Sequence, residues 1–257
     1  MPRSEAELKK IFEKDPTHVD AFISLRRLYQ QHKRFEDLAA LYEVRAQAMP
    51  AGPKVAELWS RAADILLDKL SDEDRGTQAL MQAVRADSSQ RRPVERLRRI
   101  LKEQARWDEY LELLGILTES RAGDPGQARA VAKLHLEMGT LFEEHFARTD
   151  KAMYHYQQAC RLDAALLPAL QAAGRIYRQT GDWPMVCRLL EAELKATTGA
   201  KARFELLLNL AQIQQGRLHD LAGAARSLQD GLSVRPGELR ALEALAPFRF
   251  DPTTLQL

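Results

Sequence analysis

Cysteine is nearly missing from the chain: Cys160 and Cys187 are the only two in 257 residues, with no CxxC pair and no histidine at metal-ligand spacing beside either. Both read as small apolar residues buried in amphipathic helices, and no thiolate metal site is expected. No apolar run reaches the roughly 18 residues of a membrane span. The N-terminal MPRSEAELKK lacks the apolar core of a secretory signal, so the expected location is cytoplasmic and reducing, with no membrane partner. An excess of one charge is also lacking, with 38 Lys and Arg against 36 Asp and Glu, so no global field calls for nucleic acid or an anionic surface. β-Branched runs and regularly spaced Asn-Gly or Asp-Gly turns, the marks of a sheet protein, do not occur. Neither do a Walker A loop, a GxSxG elbow, an HExxH pair or a GxGxxG loop. His135, His145 and His155 recur every ten residues, which neither shares a helical face nor forms an i, i+4 ligand pair; each is expected as a satisfied or exposed side chain. No nucleophile, base and stabiliser converge, so no catalytic residue, metal or cofactor is expected.

What is present is helix-forming sequence with an internal repeat. Leu, Ala, Arg, Glu and Gln dominate, and 45% hydrophobic residues suffice for a folded body. Segments starting at Phe22, Val94 and Leu170 superimpose, placing Phe35, Trp107 and Trp183 in register at spacings of 72 and 76. Segments starting at Leu58, Leu134 and Leu206 form a second family that aligns Leu70, Phe146 and Leu218. The two families alternate, making six units of about 37 residues. Within each unit apolar residues recur at i, i+3, i+4 and i+7, as in Phe22, Leu25, Leu28 and Tyr29, and polar turn residues separate two such runs. Each unit is therefore a helical hairpin that cannot bury both faces alone and must stack on its neighbours. The recurrent Phe35, Trp107 and Trp183 read as core residues of second helices.

Trp59, Ala62, Ala63, Leu66, Gly76, Leu80 and Ala83 resemble the tetratricopeptide repeat (TPR) pattern of large, small and aromatic positions. Met138, Gly139, Phe142, Ala152, Tyr156 and Ala159 repeat it, as do Leu210, Ala211, Ala224, Leu228 and Gly231. The other family departs from it, with Arg26 and Arg98 where small residues are preferred, so those hairpins are expected to splay wider. The resemblance implies an all-α fold, a right-handed α-solenoid or superhelix of stacked antiparallel helix pairs. On this reading residues 1–18 hold a capping helix, 19–50, 54–88, 91–120, 126–163, 166–198 and 200–236 are repeats, and 237–257 is a partial repeat or cap, the whole being one solenoid and possible part of a longer array. The Gly123-Asp124-Pro125-Gly126 cluster is taken as a bend within it.

The same resemblance implies a non-catalytic scaffold that holds another protein or peptide on the concave face lined by first helices. Arg27, Arg99 and Arg175 occupy equivalent first-helix positions, and with Gln30, Lys102 and Arg178 they make the candidate partner-binding set, suited to acidic segments through charge-assisted hydrogen bonds. A solvated or internally paired face is the alternative. The carboxylate clamp of some TPR proteins is absent, because its positions hold Ile23, Arg27, Ser60 and Asp64. The basic stretch from Arg91 to Arg106 admits a second function, an RNA-associated helical repeat. Its interspersed acids and missing aromatic platform disfavour nucleic acid.

Overall fold

The computed structural model describes residues 4–246. These form fourteen α-helices and no strand: α1 Glu5–Lys14, α2 Val19–Gln31, α3 Phe35–Gln47, α4 Pro53–Lys69, α5 Glu73–Ala86, α6 Arg91–Glu103, α7 Trp107–Glu119, α8 Ala128–Glu144, α9 Thr149–Leu162, α10 Leu167–Thr180, α11 Trp183–Ala196, α12 Ala200–Gly216, α13 Leu221–Val234 and α14 Leu239–Leu245. The C-terminal segment of the expected partial repeat, from residue 247 on, lies outside the described residues. Between Ser120 and Arg121 the chain divides into two compact units, α1 to α7 and α8 to α14, beside the glycine and proline turn cluster. In each unit every helix packs against the next along the chain, the layering that half-apolar hairpins require.

Two kinds of tight turn alternate as the two sequence families do. In the α2–α3, α6–α7 and α10–α11 hairpins the amide of Arg34, Arg106 or Asp182 donates to the carbonyl of Tyr29, Leu101 or Tyr177, and the preceding residue is left-handed. This is a Schellman closure, which satisfies carbonyls at the helix end. Only the third hairpin has glycine at the left-handed position, Gly181 at φ 76°; Lys33 and Ala105 hold φ 54° there with a Cβ. In the other family the amides of Asp72, Arg148 and Asp220 reach one residue further back, to Leu66, Phe142 and Gln214.

Side-chain size sets how closely each hairpin closes. α4 with α5, α8 with α9, and α12 with α13 touch along most of their length. Gly139 makes this possible in α8: a Cβ there would fall 2.5 Å from the Tyr156 ring of α9. Arg26 and Arg98 replace small residues in α2 and α6, and their hairpins touch less. The equivalent position in α10 is Gly174, and α10 lies against α11 more extensively.

The core differs from the sequence expectation at the recurrent aromatics. Phe35, Trp107 and Trp183 are half-buried, because each is the first residue of a second helix, beside the turn. The Trp183 face carries the Arg217 guanidinium, 4.8 Å from the ring centre. Fully buried rings lie deeper in the layers, at Tyr110, Tyr156 and Phe204. Of the cysteines expected to be buried, Cys187 is, whereas Cys160 is only partly covered; burial nevertheless pushes the Cys160 thiol up to about 11.

Candidate partner-binding surface

The first helices carry the candidate set, and the structure separates its members. Asp64 on α4 receives Arg92 and Arg96 from α6, at 3.1 and 2.6 Å, and Arg96 also reaches Asp68 at 2.6 Å. In the second unit Arg175 on α10 reaches Glu143 on α8 at 2.7 Å, and Arg240 on α14 reaches Glu205 on α12 at 2.8 Å. An arginine reaching back to an acid on the preceding first helix is thus a recurrent link between layers. Arg175 belongs to that link, so its charge is internally balanced, as the alternative reading of the row allowed.

Arg27 and Arg99 are exposed and make no ion pair among the described residues. For Arg99, the acids of α4 are taken up by Arg92 and Arg96. Every other described arginine of the first unit is engaged. Arg34, Arg61, Arg75, Arg85, Arg91, Arg92, Arg96 and Arg106 pair with carboxylates. Arg26, Arg45 and Arg98 lie over the rings of Phe22, Phe22 and Tyr110. Gln30 and Lys102, one turn beyond the two exposed arginines, are exposed as well, and the Lys102 ammonium lies 4.9 Å from the Tyr110 ring centre. Ile23, one turn before Arg27, is 45% exposed and adds an apolar contact to that face. Arg178 is half-buried on α10.

The same ion pairs dissolve the basic stretch into a mixed surface. Arg91 pairs with Glu95 at 2.5 Å, and Arg106 with Glu109 at 2.6 Å and with Asp74 at 3.2 Å. The Glu95 and Glu109 carboxylates hold these guanidiniums above their ordinary range. Such exposed pairs add little stability, yet they cancel the field that phosphates would need.

One arrangement escaped the sequence reading. His135 on α8 and His155 on α9 meet with their Nδ1 atoms 3.0 Å apart, and the Phe142 ring stacks on His155. Each is a satisfied side chain, but its partner is the other histidine: the hairpin turn joins positions twenty apart, and only the pairing of facing helices would have signalled it. One imidazole must donate and the other accept, so the contact excludes protonation of both. Burial pushes His135 down and His155 to about 4, with the neighbouring Arg161 cation acting on His135, and His135 and the Lys151 cation on His155. In the unfolded chain both take up protons near the ordinary value of 6.5. The pair's contribution is therefore complete above that value and is lost as pH falls from it towards 4. Discounted for partial exposure, the loss between pH 7 and pH 5 is expected to be about 1–2 kcal/mol in urea-unfolding free energy. A His155→Phe variant should show a flatter pH dependence, and an unchanged slope in that variant would remove the pair as its source.

Among the described residues no group of three or more His, Cys, Asp and Glu side chains is placed to hold a metal ion, and no helix is long and apolar enough to cross a membrane.

No family model matches the chain, and no curated protein matches it. Among solved structures it is similar to PilF of Pseudomonas aeruginosa, at 16% identity over 89% of this chain and 96% of that one, with a TM-score of 0.40. It is similar to the C-terminal part of a TPR repeat-containing protein of Cytophaga hutchinsonii, at 14% identity over 94% and 93% of the two chains and a TM-score of 0.41. It is also similar to YrrB, described as a TPR protein with an unusual peptide-binding site, at 13% identity over 94% and 98% with a TM-score of 0.32. By the serial pairing of its own helices, each of the two units is an all-α stack of helical hairpins among the described residues.

Proposed function

We propose that the chain is a non-catalytic protein-binding scaffold, and that first helices α2 and α6 of its first unit take an acidic segment of a partner protein. The observation that carries this reading is selective: in a unit whose other described arginines are all engaged, Arg27 and Arg99 stay exposed without an ion pair at equivalent repeat positions. A guanidinium with its donors free forms bidentate, charge-assisted bonds to a carboxylate, and little internal structure has to be broken first. Ile23 supplies the apolar contact such an interface needs beside its charges.

The test begins with affinity capture from the native source, followed by titration of the captured protein against purified variants. Arg27→Glu with Arg99→Glu should leave the helical circular dichroism unchanged and weaken the partner at least about tenfold, equivalent to roughly 1.4 kcal/mol. Arg175→Glu, which breaks an internal bridge instead, should bind close to the unmodified chain. Full binding by the double variant would retire this surface. Steep salt-dependent RNA binding, abolished by Arg92 and Arg99 substitutions, would transfer the function to the alternative reading.

A further inference from the structure

The second helices of the first unit leave two pockets, one on each flank of α3. Between α1 and α3 lies an apolar one of about 250 Å³, lined by the buried side chains of Phe12, Leu25, Tyr29 and Leu41, with Val44 beside them 41% exposed. A valine that exposed next to an open apolar floor is surface that another apolar side chain can cover. Between α3 and α5, with the half-exposed indole of Trp59 from α4 in its wall, lies a polar cleft of about 470 Å³. Arg75 is its cation, and three carboxylates share it: Glu36 at 2.5 Å, Glu43 at 3.5 Å and Asp72 at 3.6 Å. The negative excess continues on the α1 side, where Lys9 and Arg34 stand among Glu5, Glu13 and Asp37.

Charge and spacing together select the occupant. A basic side chain entering the cleft between α3 and α5 meets carboxylates in excess of cations and an indole, both of which attract it, whereas an acidic one is repelled. An apolar side chain of the same segment fills the pocket between α1 and α3. Because α3 separates the two pockets, they stand one helix width apart, about 10 Å. In a helix, residues seven apart share a face and lie about 10.5 Å from one another at 1.5 Å per residue. In a strand, residues sharing a face lie about 6.6 or 13 Å apart, and neither interval matches.

We propose that the face of α3 between these pockets is a second docking site, which takes a basic amphipathic helix of a partner protein, with an apolar side chain seated against Val44 and an arginine or lysine against Glu43. The site lies on second helices and uses neither Arg27 nor Arg99, so it stands or falls separately from the surface proposed above.

The test is fluorescence anisotropy of the full chain with capped, labelled, alanine-based peptides of about 18 residues, long enough for partial helicity in water. The first set carries leucine and arginine seven apart, in either order. Comparators replace the arginine by glutamate, replace the leucine by serine, or set the two five apart, which turns them to different faces of the helix. Saturable binding of the first set is expected, at least tenfold tighter than any comparator and weakening as salt is raised. Val44→Ser and Glu43→Gln should each weaken it at least fivefold, while Arg27→Glu with Arg99→Glu should leave it unchanged. If Glu43→Gln loses helical circular dichroism, Val44→Ser decides the matter, because Val44 is exposed. No saturable binding by the first set, equal binding of any comparator, or binding indifferent to Val44→Ser would each overturn the proposal.

Discussion

Replacing Tyr110 by alanine is expected to destabilise the first unit by about 3–5 kcal/mol, whereas Trp107→Ala, although it removes a larger ring, should cost only about 1–2 kcal/mol. Tyr110 is 0% exposed, and it lies under the Arg98 guanidinium and the Lys102 ammonium. Truncation there loses the transfer free energy of the ring, leaves a void between layers and removes the surface on which two cations rest. Trp107, half-buried at the start of the same helix, keeps part of its ring in water in both folded and unfolded states, so less is lost. Urea unfolding followed by circular dichroism gives both values. Equal losses would mean that the recurring aromatic position is the anchor of the hairpin after all.

In the second unit the corresponding expectation concerns a contact between two helices. Tyr156→Ala should cost about 3–5 kcal/mol, because the ring is 1% exposed and fills the space over Gly139. Its hydroxyl donates to Glu143 at 2.8 Å, and the same Glu143 oxygen accepts from Arg175 at 2.7 Å. Burial pushes the phenol up to about 12, so it remains a donor throughout the neutral range. Held at both ends, the ring cannot swing away from an added methyl group. Gly139→Ala alone is therefore expected to cost about 1–2 kcal/mol, the clash exceeding the gain in helix propensity. Once Tyr156→Ala has vacated the space, the same glycine substitution should gain about 0.5–1 kcal/mol, and this reversal of sign in a double-mutant cycle identifies close approach as the reason for the glycine. Gly115→Ala on α7, where a Cβ would meet nothing within 4 Å, should gain in either case. A Gly139→Ala variant as stable as the parent would remove the steric account.

Much of the architecture was legible because it depends on local period. The 3.6-residue spacing of Phe22, Leu25 and Tyr29 places them on one helical face, and all three are buried. The register of Phe35, Trp107 and Trp183 located three equivalent turns, although the same register misled about burial. A residue that recurs marks an equivalent position, and that position turned out to be the first of a helix, where a ring is covered on one side only. The candidate surface was legible in part. Equivalent arginines could be aligned from spacing alone, but whether each has a carboxylate opposite depends on the preceding layer, as Arg175 with Glu143 and Arg99 without a partner show.

By itself the sequence determined that this chain folds as paired helices, where the turns between them fall, and which positions are equivalent, since hydrophobic period and turn chemistry act over a few residues. Tertiary structure alone decided which of those equivalents remain available. The meeting of His135 with His155, the engagement of Arg175, the exposure of Arg27 and Arg99, and the gathering of Glu36 and Glu43 on Arg75 all depend on side chains far apart in the chain. Those distances are set by how closely neighbouring layers approach, and that approach is controlled by the size of single residues such as Gly139 and Arg98.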